Sequence, residues 1–199
     1  MTREDLVTKI LRDTDRTDIT ADVSDAVSSA IKFYERQRLW FLEGVATCST
    51  SASQTWYVAP DDFKKADSVL VTVSGSKVPL TQVDYSEINE KDDGTHTGIP
   101  SEWTFYNNSF RFYPVPDGVY VVTLSYHKSL ATTASASNSW TNDCFDLIRY
   151  RAEKDIYSNL LNSLERAAIA QNNEKEEYAM IMNEHTQKLS TNKLKKSGF

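Results

Sequence analysis

Three histidines, two cysteines, a run of acids and a group of strand aromatics are the residues of this chain whose chemistry could amount to a site. His96, His127 and His185 are scattered, and no cysteine or carboxylate stands at a metal-ligand spacing that would unite them. Cys48 and Cys144 are too few and too far apart for a disulfide framework or a zinc site, so they read as buried or semi-buried thiols. A glycosidase needs two carboxyls flanking a sugar bond, one of them raised in pKa by an apolar pocket. Glu87, Glu90, Asp92 and Asp93 instead read as a solvated charge run in a polar loop, and Asp61 and Asp62 after Pro60 read as turn residues. Trp56, Tyr57, Trp103, Tyr106 and Tyr113 could stack on sugar rings, yet strands favour aromatics for packing alone. Neither a glycine-rich phosphate loop nor a serine or cysteine nucleophile motif is present. The residues therefore point away from an enzyme and call for no cofactor and no metal. A peptidoglycan hydrolase and a glycan-binding module stand as the alternatives.

The elements that would position these residues follow from length and patterning. A chain of 199 residues can bury a core without covalent staples. No apolar run is long enough for a membrane helix, and the polar start "MTREDLVTK" lacks the apolar centre of a secretory signal, so synthesis in the cytoplasm is expected. A net charge of −6 disfavours a dedicated nucleic-acid binder, which would cluster Lys and Arg against phosphates. The sign reverses locally: no acid follows Glu184, whereas Lys188, Lys193, Lys195 and Lys196 do.

"MTREDLVTKIL" places Thr2 three residues before Asp5, a capping-box pattern, and sets Leu6, Val7, Ile10 and Leu11 on one helix side. A second helix is predicted from an N-cap at Thr20 through Trp40 and Phe41, with Gly44 as its stop. "DSVLVTVSGSKVPLTQVDY" reads as a strand, a turn at Gly75 and a short strand; "EWTFYNNSFRFYPVPDGVYVVTLSYHK" supplies three more strand-like runs. Within it, Ser109 to His127 is expected to form two antiparallel strands around a corner fixed by Pro114 and Pro116 and turned by Asp117-Gly118. After a Ser, Thr and Ala-rich linker, Thr141 or Asn142 offers an N-cap. From Asp143 to Lys188 neither Gly nor Pro occurs, so mostly helix is expected, with a break near Asn162 or at Gln171 to Asn173. The class is α+β: a helical bundle of N-terminal and long C-terminal helices with a small antiparallel β domain inserted between them. The expected boundaries are 1–47 and 131–189 for the bundle, 48–130 for the β domain and 190–199 for an extended tail.

The order "AIKFYERQRLWFLEG", "QTWYVAPDDFKKADSVLV", "GIPSEWTFYNNSFRFYPVPDGVYVVTLSYHK" and "WTNDCFDLIRYRAEKDIYSNLL" resembles the head-to-tail adaptor, or connector, proteins of tailed bacteriophages. The likeness runs from the segment before Gly44 to the one after Trp140. It implies a virion protein of the head-to-tail junction, assembled in the host cytoplasm. Its partners would be the portal protein, a tail or nozzle protein and further copies of itself in a ring of twelve. Viral double-stranded DNA would pass through the lumen without sequence-specific binding, and no membrane is involved. It further implies that the C-terminal tail lodges between portal subunits, with Lys193, Lys195 and Lys196 as basic contacts and Leu194 and Phe199 as apolar anchors. Ring contacts are heterologous, and Leu164, Ala168, Tyr178 and Met182 are the expected packing residues of the long helix.

Overall fold

The computed structural model of the chain describes residues 1–92 and 94–194. The chain divides into two compact units: a helical one of residues 1–42 together with the chain from Leu130 onward, and a β unit of Glu43–Ser129.

In the helical unit, α1 (Arg3–Thr14) opens with the expected capping box: Thr2 Oγ1 accepts from the Asp5 amide at 3.2 Å, and an Asp5 carboxylate oxygen accepts from the Thr2 amide at 2.7 Å. The N-cap amide and the Asp5 amide, two of the donors at the helix start, are thereby satisfied. Helix α2 (Thr20–Tyr34) begins one residue earlier than predicted: Ile19 is its N-cap and Thr20 its first helical residue. It buries Val23, Val27, Ala30, Ile31 and Tyr34, then stops well short of Phe41. The reason is visible in the spacing. The next positions on the buried face after Tyr34 are Gln37 and Arg38, both polar and exposed, so the chain turns there. Leu39 and Leu42 reach the core separately, through the 3-10 turn Trp40–Leu42.

The return into the unit is made by α4 (Ser139–Asn142), capped by Asn138, whose side chain accepts from the Trp140 amide at 3.0 Å. Thr141 and Asn142, expected as N-caps, are instead helical residues of this turn, and Cys144 is the N-cap of α5 (Phe145–Asn159). A break follows, with Asn162 in the left-handed region at φ 48°, before α6 (Leu164–Leu194). Of the two predicted breakpoints the Asn162 site is used, because Asn tolerates this conformation at little cost. The core joins Leu6 and Ile10 of α1, Val23 and Ile31 of α2, Leu147 and Ile148 of α5 and Ile181 of α6 around Trp140.

The β unit is a sandwich of two four-stranded sheets. The first has the order β1 (Glu43–Ser49), β10 (Val121–Lys128), β3 (Phe63–Val73), β4 (Ser76–Pro79), all antiparallel. The second runs β2 (Trp56–Val58), β8 (Ser109–Tyr113), β7 (Glu102–Tyr106), β5 (Thr81–Gln82). A two-stranded pair joins β6 (Thr97–Gly98) to β9 (Val115–Pro116). Val69, Val71, Val122, Leu124 and Tyr126 of the first sheet meet Tyr57, Trp103, Phe110 and Phe112 of the second in one core. The β10 alternation is as its residues dictate, with Val122, Leu124 and Tyr126 inward.

Three expectations change here. Gly44 does not stop a helix; it lies in β1 opposite Tyr126 of β10, and a Cβ built on it would stand 2.9 Å from the tyrosine ring. The segment read as a polar loop contains α3 (Tyr85–Lys91), a two-turn helix held by one buried residue, Ile88, which leaves no periodicity to detect. Finally, Ser109 to His127 is not a hairpin: β8 pairs with β2 and β7, and β10 pairs with β1 and β3. The proline corner carries the chain from one sheet to the other. Pro114 and Pro116 have no N–H to give a ladder, and the Tyr113–Pro114 peptide is cis.

Candidate interaction surfaces

The residues that could do chemistry are spread over both units. His96 packs against the Tyr113 ring at 5.7 Å in the β unit, whereas His185 is buried in the helical unit, stacked on Trp40 at 6.3 Å. Among the described residues no three of His, Cys, Asp and Glu are grouped so as to hold a metal ion. Glu87 pairs with Lys91 at 2.7 Å and Asp92 with Arg111 at 2.7 Å; Asp93 lies outside the described residues. Burial, helped by the hydrogen bond its hydroxyl donates to Asp62 at 2.8 Å, raises the Tyr126 phenol to about 12.

The helical unit carries two buried carboxyls that sequence reasoning missed. Glu174 on α6 accepts from the Tyr34 hydroxyl at 2.6 Å and from Arg151 at 2.9 Å, with Lys154 at 3.6 Å. Burial alone would raise this carboxyl, but the phenol and the two cations outweigh it and hold it below its usual value. Around it opens a cavity of about 290 Å³ that Phe33, Gln37, Lys175 and Tyr178 also line. Glu153 on α5 has the opposite environment: burial raises it to about 7, opposed by Arg149 at 3.5 Å, too far for a hydrogen bond. Arg149 is engaged instead with Asp146 at 2.8 Å and Asp13 at 3.2 Å. Only a contact map could have found either residue, since each is an ordinary surface acid by sequence pattern.

Of the four residues expected on the ring-forming face of the long helix, Tyr178 and Met182 pack against their own core. Leu164 and Ala168 are exposed, and so are Ile169 and Met180. Tyr178 and Met182 are recruited inward because α6 is closed onto α5 and Trp140's cluster by the break at Asn162. The tail expectation also changes: α6 runs to Leu194, so residues 190–194, Lys193 and Leu194 included, have helical backbone rather than extended. Lys195, Lys196 and Phe199 lie outside the described residues.

In the β unit, Tyr57 and Trp103 belong to the core, while Trp56 and Tyr106 are exposed on the outer face of the second sheet. Tyr85 of α3, absent from the sequence reading, joins them: it stacks on Tyr106 at 4.3 Å and 8° and lies 6.1 Å from Trp56. Arg111 supports Trp56 and Tyr85 from β8, 5.5 and 5.9 Å from their centroids. Between the two sheets lies a separate apolar cleft of about 220 Å³, bounded by Ala46, Val69, Phe110, Phe112 and Leu124.

This layout is matched, over residues 1–195, by the family model of the SU10 adaptor protein. The chain belongs to that family. It is thus a structural adaptor of the phage head-to-tail junction, a virion component whose family implies portal and tail proteins as its partners. The match spans both units of the adaptor, so the β unit is part of the family pattern and not an addition to it. No curated protein matches the chain. The adaptor's Trp140, in the short helix that returns the chain to the helical unit, is 1% exposed and packs edge-on against Phe41 at 4.9 Å. Its role is to hold the returning helix in the core. No helix among the described residues is long and apolar enough to cross a membrane.

Proposed function

We propose that the adaptor assembles as a closed ring of twelve copies beneath the portal, continues the DNA channel and presents the platform on which the tail docks. The observation that carries this reading is the family match over residues 1–195. A ring closes through heterologous contacts, and the exposed Leu164, Ala168, Ile169 and Met180 of α6 supply apolar points for them. The net charge of −6 favours passage of DNA over its capture, since like charges do not hold phosphate. Attachment to the portal runs through the basic end of the chain, with Lys193, Lys195 and Lys196 meeting acidic groups and Leu194 and Phe199 as anchors. Because α6 is helical to Leu194, Lys193 and Leu194 are carried on helical backbone. Assembly takes place in the host cytoplasm, and the adaptor acts without catalysis, cofactor or metal.

Electron microscopy of the purified protein mixed with its portal tests this. Full-length protein is expected to add a second ring to the portal, and protein lacking residues 190–199 to stay folded and unattached. Truncated protein that still decorates portal rings overturns the docking role of the tail. Clearing of a peptidoglycan gel would overturn the non-enzymatic reading.

A further inference from the structure

The aromatic group on the outer face of the second sheet is not explained by ring formation or by the basic tail. Trp56 is 37% exposed and Tyr106 52%, an uncommon exposure for two large rings that stand side by side with a third, Tyr85. These three with Asn107 and Ser109 line a cavity of about 300 Å³ that no charged side chain enters. The rings are held in place beforehand. Arg111, itself only 9% exposed, lies against Trp56 and Tyr85, and its far nitrogens are tied to Asn89 and, at 2.7 Å, to Asp92. Its Nε has no hydrogen-bond partner, so the guanidinium serves the rings rather than saturating its own donors.

The free polar groups define the ligand. Among the described residues the Tyr85 and Tyr106 hydroxyls, the Trp56 indole N–H and the Asn107 amide have no partner, so the cavity offers four side chains able to donate. We propose that this cavity is a docking site for an uncharged, extended, proline-bearing segment of a partner protein. Such a segment presents flat pyrrolidine faces to rings. Its backbone carbonyls lack internal partners, and proline brings no N–H that would need an acceptor. A helix has already spent its carbonyls on itself, and a phosphate-bearing or acidic ligand would find no cation lining the site. The low conformational entropy of the polyproline conformation adds to the pre-ordering of the rings. The site is independent of the ring reading: a chain that failed to assemble under a portal could still bind the peptide, and the reverse.

The test uses the full chain and an acetylated, amidated oligoproline of about ten residues, followed through the indole N–H signals of the four tryptophans. Trp56 is assigned by the signal lost in Trp56→Phe. Its indole is expected to shift saturably at millimolar peptide or below, while the buried Trp103 and Trp140 stay in place. Tyr106→Ala should weaken binding about tenfold or more, and the double variant Tyr85→Phe/Tyr106→Phe, which keeps both rings and removes only the hydroxyls, about threefold to tenfold. An unchanged Trp103 signal certifies that each variant is folded. A Trp56 indole that does not move, an equal or larger shift with a neutral oligosaccharide such as maltohexaose, or a double variant that binds like the parent overturns the proposal.

Discussion

Glu153 and Glu174, 7% and 6% exposed, are shifted in opposite directions, the first raised by burial and the second lowered by its hydrogen-bond and ion-pair partners. Glu174 has a phenol and two cations and is depressed. A depressed carboxyl contributes stability above its unfolded pKa and loses that contribution as pH falls through the folded value. Glu174→Gln is therefore expected to cost about 2–3 kcal/mol at neutral pH, leaving Arg151 partly unpaired, with the deficit closing in acid. Urea unfolding at two pH values measures both parts. Glu153 is raised, so the folded state prefers it protonated and loses stability as pH rises from its unfolded value toward about 7. Lys9 and Asp13 from α1 and Arg149 and Asp146 from α5 are the charges that act on it. Glu153→Gln should be nearly neutral near pH 4 and stabilising by about 1–3 kcal/mol at pH 8. Equal effects at both pH values would contradict that assignment.

At the scale of elements, the close approach of β1 to β10 depends on Gly44, over which the buried Tyr126 ring lies. Gly44→Ala is expected to cost about 1–3 kcal/mol, read as a lowered denaturation midpoint, because the ring is fixed at its other end by Asp62 and cannot swing clear. Asn162→Ala should cost about 1 kcal/mol through the left-handed backbone at the α5–α6 break, and Asn162→Gly should be neutral or better. These elements also mark what the sequence could reveal. The Thr2–Asp5 cap, the Gly75 turn, the β10 alternation and the Asn162 break all rest on local spacing, and all are present. What stayed hidden depends on partners distant along the chain. Strand alternation in β8 and β10 says that each has an inner face but not which sheet it joins, so by sequence the corner reads as a hairpin. Trp56 and Tyr106 were visible as aromatics, yet their neighbour Tyr85 enters only through the unpredicted α3, and Arg111 only through its stacking.

At the scale of the molecule, the β unit has a core of its own and its two ends are neighbours, Glu43 standing opposite His127 in the β1–β10 ladder. A fragment of residues 43–129 is expected to fold alone, with a single cooperative urea transition followed by tryptophan fluorescence. A broad, non-cooperative transition would mean that its core depends on the helices. The functional layout was legible only as an order of segments, because assembly surfaces are set by which residues the fold leaves outside. Tyr178 and Met182 look identical in pattern to Leu164 and Ala168 until packing separates them.

The side-by-side ends of the β unit carry a consequence for how adaptors diversify. A segment that departs and returns at facing rungs of one ladder can be lengthened, trimmed or exchanged between viruses by recombination at two fixed points, without re-registering the helices on either side in sequence. The surface of the β unit is therefore free to vary in length and composition while the helical unit keeps its own core.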